Sequence, residues 1–155
     1  MRAIFYGMVL ILSSGLAIGQ TYKALYSFGS NPNDAALANQ GLVFDDAGNL
    51  YGSSRAGGNS GTTCAGGACG TIFELSPQAD GSWVEQVIYS FCENGQNNVC
   101  PDGWQPNAGL LIDSVGNLYG TTAFGGSYSF CPDSFGCGTV FELSPPSSPG
   151  APNSR

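Results

Sequence analysis

The chain has 155 residues, of which only 10% are charged, with 4 basic side chains against 11 acidic ones and no histidine. A net charge of −7 repels phosphate backbones and excludes nucleic acid as a natural partner, while the lack of histidine removes the commonest general base and the commonest metal ligand. With 24 Gly and 9 Pro, and no window of sustained three-and-four apolar spacing, long helices are excluded and short strands with many turns are expected.

Residues 1–19 read as a cleavable export signal: Arg2 supplies a positive charge, Ala3 to Leu12 form an apolar run, and Ala17-Ile18-Gly19 offers small residues for cleavage after Gly19. Ser13, Ser14 and Gly15 interrupt the run well short of the roughly 20 apolar residues that span a bilayer. The expected location is extracellular or periplasmic, and the mature form is expected not to span a membrane. Removal of Arg2 leaves 3 basic against 11 acidic side chains, a net charge of −8. Residues 20–145 are long enough for one domain of ordinary size.

The first expected strand, Tyr22 to Phe28, ends in Tyr26-Ser27-Phe28. Next come Gly41 to Phe44 and Leu50 to Gly52, which flank Asp45-Asp46-Ala47-Gly48-Asn49. Asp and Asn bond nearby backbone and Gly48 accepts positive φ, so this is a hairpin. Thr71 to Leu75 alternates in strand fashion and stops at Pro77, which cannot donate to a ladder. Trp83 to Phe91 is rich in β-formers and ends in Tyr89-Ser90-Phe91.

The same elements then recur. Gly109 to Gly120 repeats Gly41 to Gly52 at an offset of 68, including Asp113, Gly116, Asn117 and Tyr119, and Gly138-Thr139-Val140-Phe141-Glu142-Leu143-Ser144-Pro145 repeats Gly70 to Pro77 at the same offset. Tyr89-Ser90-Phe91 follows Tyr26-Ser27-Phe28 at 63, so a loop of the second copy carries the five extra residues. Two blocks in one register mean an internal duplication, repeat one over about 41–91 and repeat two over about 109–145. The expected fold is all-β: two tandem four-stranded antiparallel, blade-like repeats, forming an incomplete propeller or a two-sheet domain. Tyr22 to Phe28 is expected to give the first repeat its fourth strand, for eight strands in two sheets. Residues 146–155, with Pro146, Pro149 and Pro152 among Ser, Gly and Asn, are expected to form a disordered tail.

The pattern Gly-Leu-x-x-Asp-x-x-Gly-Asn-Leu-Tyr-Gly-Thr-Thr, a Gly-Gly loop, then Gly-Thr-Val-Phe-Glu-Leu-Ser-Pro resembles the GloVer tandem repeat of choice-of-anchor exported bacterial proteins. The copy from Gly109 to Pro145 fits closely; the first departs at Ser53-Ser54 and keeps Gly57-Gly58. The resemblance implies an exported, propeller-like protein and carries no catalytic residue across.

Six cysteines fall into close pairs, Cys64 with Cys69, Cys92 with Cys100 and Cys131 with Cys137. Proximity and export favour three local disulfides. A metal site is the weaker alternative, because these spacings are not the two-residue spacing of zinc knuckles and no histidine assists. No cofactor is expected.

Chemistry-bearing residues are few. Asp45, Gly48, Asn49, Asp113, Gly116 and Asn117 are assigned to structural turns; the alternative for Asp45, Asp46 and Asp113 is calcium ligation, but they lack the alternate spacing of a helical calcium loop. Glu74 and Glu142 are the carboxylates an exported lyase or hydrolase would use, yet equivalent positions on sister strands point outward from separate blades. Trp104 and Phe124, read as loop residues, are the candidate contacts for a polysaccharide or surface protein. The favoured function is a binding or structural module of the cell exterior, with self-association through exposed blade faces open to it, because two units leave an apolar face on each side.

Overall fold

A computed structural model describes residues 19–58, 64, 69–93, 95, 99–126, 130–132 and 135–145. The expected signal and tail lie outside these residues, Gly19 aside. The described chain is all-β, without helix, in ten strands: β1 (Ala35–Ala36), β2 (Val43–Phe44), β3 (Leu50–Ser54), β4 (Ala56–Gly57), β5 (Thr71–Pro77), β6 (Trp83–Ser90), β7 (Trp104–Pro106), β8 (Leu111–Ile112), β9 (Leu118–Phe124) and β10 (Val140–Leu143).

The first repeat forms a four-stranded antiparallel meander, β2-β3-β5-β6. The hairpin closes with Val43 opposite Tyr51 and Phe44 opposite Leu50, and β5 pairs with β6 from Thr71 opposite Ser90 to Pro77 opposite Trp83, with a bulge between Ile72 and Phe73. In the second repeat β9 is central, pairing with β10 on one side and with β8 and β7 on the other. Here β10 takes the place of β5, and among the described residues no strand stands where β6 stands in the first sheet.

That arrangement corrects the expected role of Tyr22 to Phe28, which forms no strand. β6 already occupies the edge of β5, so the place assigned to the early segment is taken. Tyr26 and Phe28 instead lie over the face of the first sheet against Leu50, Phe73 and Leu75. Phe28 meets Phe73 edge to face with centroids 5.0 Å apart, and Tyr26 meets Phe28 at 5.3 Å. The second repeat reproduces this with Tyr89 on Phe91 at 5.0 Å and Phe91 on Phe141 at 5.3 Å. Each unit is therefore lidded by the Tyr-Ser-Phe that precedes it, and the end of β6 completes one sheet while covering the next.

The two units stack face to face. Ile72 with Val43, Tyr51 and Ile88 of the first unit meets Leu110, Leu118 and Leu143 of the second in one continuous core. The Ser53 hydroxyl adds a hydrogen bond to the Ala108 carbonyl at 2.9 Å. Gly52 and Gly120 leave room for an aromatic ring within each unit: a Cβ at either would lie 2.5 Å from the ring of Phe73 or Phe141, which explains the Gly that closes Asn-Leu-Tyr-Gly.

Candidate functional site

The two Asp-x-x-Gly-Asn turns are built alike. In the first, the Asp45 carboxylate accepts the Asn49 backbone N–H at 2.8 Å, the Asn49 amide at 2.9 Å and the Tyr51 hydroxyl at 3.2 Å. In the second, Asp113 accepts the Asn117 N–H at 2.8 Å, its amide at 2.9 Å and the Tyr119 hydroxyl at 3.1 Å. The N–H of Gly48 and of Gly116 donates to the carbonyl of its own Asp at 3.1 Å, and both glycines adopt positive φ, 90° and 89°. Only glycine enters that region freely. Burial raises the pKa of both carboxyls, but the Asn and Tyr donors outweigh it and hold them below the usual range. Tyr51 is raised by burial and by the charges of Glu74 and Asp45. These carboxylates are occupied by their own turns, and Asp45, Asp46 and Asp113 form no common ion-sized cluster among the described residues.

A second clasp escaped the sequence reading. Asp34 accepts the N–H of Gly29 at 2.7 Å and of Ser30 at 3.0 Å, and the Tyr26 hydroxyl at 3.3 Å. Its equivalent, Asp102, accepts the Cys92 N–H at 3.0 Å and the Tyr89 hydroxyl at 2.8 Å. Gly29 has φ 95° and Cys92, in the same place, φ 60°; Leu37 and Gln105, a further equivalent pair, have φ 56° and 54°. The recurrence of Asp at an offset of 68 was visible in the sequence, but its partners sit across the loop whose length differs between copies.

Asp34 also bonds the carboxyl of Glu85 on β6, whose Oε1 accepts the Ala35 N–H at 3.2 Å. Burial, then the bond to Asp34 and the charge of Asp34, push Glu85 up to about 7. Burial likewise favours the neutral form of Asp34, but the Glu85, Gly29 and Ser30 donors hold it low. The pair thus shares a proton near neutrality. A carboxyl whose folded pKa is raised contributes stability that is complete below its unfolded pKa, near 4.5, and is lost as pH rises through about 7. Thermal melts should therefore show the protein more stable at pH 5 than at pH 8, with no histidine to confuse that window. Glu85→Gln keeps a donor for Asp34 and an acceptor for Ala35, and should flatten the difference; an unchanged slope would remove Glu85 as its source.

Glu74 and Glu142 are not brought together. Each accepts the hydroxyl of the serine two residues on, Ser76 at 2.9 Å and Ser144 at 3.1 Å. Glu74 lines a small cavity with Tyr51 and Leu118, and Glu142 another with Tyr89 and Phe141. Trp104 and Phe124 are not loop residues: they are register partners at the ends of β7 and β9, with ring centroids 4.7 Å apart. Trp104 is only 6% exposed and belongs to the same core cluster as Cys64, Cys69, Cys92 and Cys100, with Phe124 and Phe135 against its ring.

All three cysteine pairs stand at disulfide distance, with Cα separations of 5.4 Å for Cys64–Cys69, 4.9 Å for Cys92–Cys100 and 5.6 Å for Cys131–Cys137. The first two pairs are buried side by side in the core, with all four sulfurs within 4.8 Å of one another.

An open groove of 580 Å³ lies between the two turns, lined by Phe44, Asp46, Ala47, Ile112, Ser114 and Val115 among others. Phe44 is 63% and Val115 72% exposed. An apolar floor with acidic edges suits a neutral or cationic ligand. No family model matches this chain, nor does any curated protein or solved structure.

Proposed function

We propose that this is an exported, disulfide-braced repeat protein acting as a binding or structural module at the cell exterior. The observation that carries the reading is the use of the turn carboxylates. Asp45 and Asp113 are spent on internal clasps while the turns that hold them wall an open groove with exposed Phe44. Turn chemistry of this kind builds a rigid surface and commits these two carboxylates to hydrogen bonds within their own turns. The net negative charge favours neutral polysaccharide or basic protein over anionic polymers. Membership of the GloVer repeat group belongs to the same proposal and rests on the duplicated Gly-Asn-Leu-Tyr-Gly and Phe-Glu-Leu-Ser-Pro blocks.

Affinity electrophoresis against a panel of neutral polysaccharides and basic surface proteins tests the reading. Retention by one of them should weaken about tenfold in Phe44→Ser, the equivalent of about 1.4 kcal/mol of apolar contact, and should survive Glu74→Gln and Glu142→Gln. Substrate turnover that disappears in either glutamine variant would replace the binding module with a carboxylate enzyme.

A further inference from the structure

The outward faces of the two units are complementary to each other. Inside the molecule, Leu110 of the second unit is 4% exposed and Ile72 of the first is fully buried, each by the other unit. Their equivalents are bare: Leu42 on the outer face of the first unit is 48% exposed, and Val140 on the outer face of the second is 84% exposed, beside Leu111 at 71%. Thr121, which matches the Ser53 that bridges the units, is exposed as well. One face therefore repeats the inner surface of unit one, and the opposite face repeats the inner surface of unit two.

The free edge of the second sheet supplies a second, independent match. β5 is paired along its outer side by β6, with Thr71 opposite Ser90 and Ile72 opposite Tyr89, whereas β10 is paired among the described residues only by β9. Leu25-Tyr26-Ser27-Phe28 corresponds to Ile88-Tyr89-Ser90-Phe91, and it sits on unit one as the latter sits on unit two, to within 0.3 Å in both ring separations. It forms no strand, and Tyr22 just before it is 93% exposed. No strand among the described residues pairs with this segment.

We infer that copies of this chain associate head to tail, the bare face of the second unit (Leu111, Tyr119, Val140) seating on the first unit of the next copy, whose segment Tyr22 to Phe28 adds as an antiparallel strand along β10. The expected register sets Ser27 opposite Thr139 and Tyr26 opposite Val140, as in the inner pairing of β5 and β6. Strand addition satisfies the exposed ladder of an edge strand, and a contact between unlike surfaces propagates to a ring or a filament rather than stopping at a symmetric dimer.

Sedimentation of the mature protein over a range of concentrations should show species heavier than a dimer. Val140→Lys damages one end and Leu25→Lys the other, and both positions are exposed, so each variant should fold by circular dichroism and run as a monomer. Mixed together, the two monomers each retain one intact end and should form a heterodimer that grows no further. A parent that stays monomeric at every concentration, or variants that still self-associate singly, or a mixture that yields no heterodimer, would overturn the inference.

Discussion

Gly70→Ala and Gly138→Ala should each lower the melting temperature by about 10 °C, the equivalent of about 3 kcal/mol for a domain of this size. These glycines open the two Gly-Thr-[Ile/Val]-Phe-Glu-Leu strands, at φ 97° and 85°. A residue with a Cβ pays about 1–2 kcal/mol to enter that region. Here the Cβ also meets backbone: at Gly70 it would lie 2.5 Å from the Ser54 carbonyl oxygen and 2.6 Å from the Pro106 ring, and at Gly138 it would strike the carbonyl oxygen of Thr122. Backbone in a paired strand cannot swing aside as a side chain can, and overpacking of this sort adds about 1–3 kcal/mol. Gly48 provides the control, since it has a similar φ but nothing within 4 Å of the added atom. Gly48→Ala should cost only the conformational part, about 1 kcal/mol. Equal losses at all three positions would mean that crowding contributes nothing.

Replacing Cys64, Cys69, Cys92 and Cys100 together by alanine should leave the chain unfolded at room temperature, judged by loss of near-ultraviolet circular dichroism. Each bridge is worth about 2–5 kcal/mol in a small domain, and the four cysteines are at most 6% exposed, packed in the same cluster as Phe91 and Trp104. Their removal therefore also opens a void at the junction of the units, which further destabilises a fold whose total stability is on the order of 5–15 kcal/mol. Cys131 and Cys137 lie at the surface. The double alanine variant there loses a loop constraint and no core, so it should fold and melt only slightly below the parent. A well-folded quadruple variant would show that the core does not depend on its sulfur.

What the sequence disclosed was what short range decides. The hairpin around Gly48 is read from five residues whose chemistry allows little else, and the strand ending at Pro77 is bounded by a residue that cannot donate. Sequence proximity likewise named the three cysteine pairs. What it concealed depends on distance and on competition. Tyr22 to Phe28 has the composition of β6, but composition cannot reveal that the edge of β5 is already filled. β1 has two residues and β7 three, too few for alternation to register, so Trp104 looked like a loop residue. Asp34 and Glu85 are 51 positions apart and meet only because the lid bends over the sheet; neither residue carries a local mark of the shared proton.

The lid has a consequence in time as well as in space. Chains emerge from synthesis amino end first, and domains form as their parts become available. Tyr26 and Phe28 precede everything they cover, so the first half can close using only residues already made, ending with β6. The second half then inherits a cover, Tyr89 and Phe91, that is already in place. Two halves of closely similar sequence ordinarily risk exchanging strands while both are open. Placing each cover upstream of what it covers lets the lidded face of the earlier copy form without waiting for the later one.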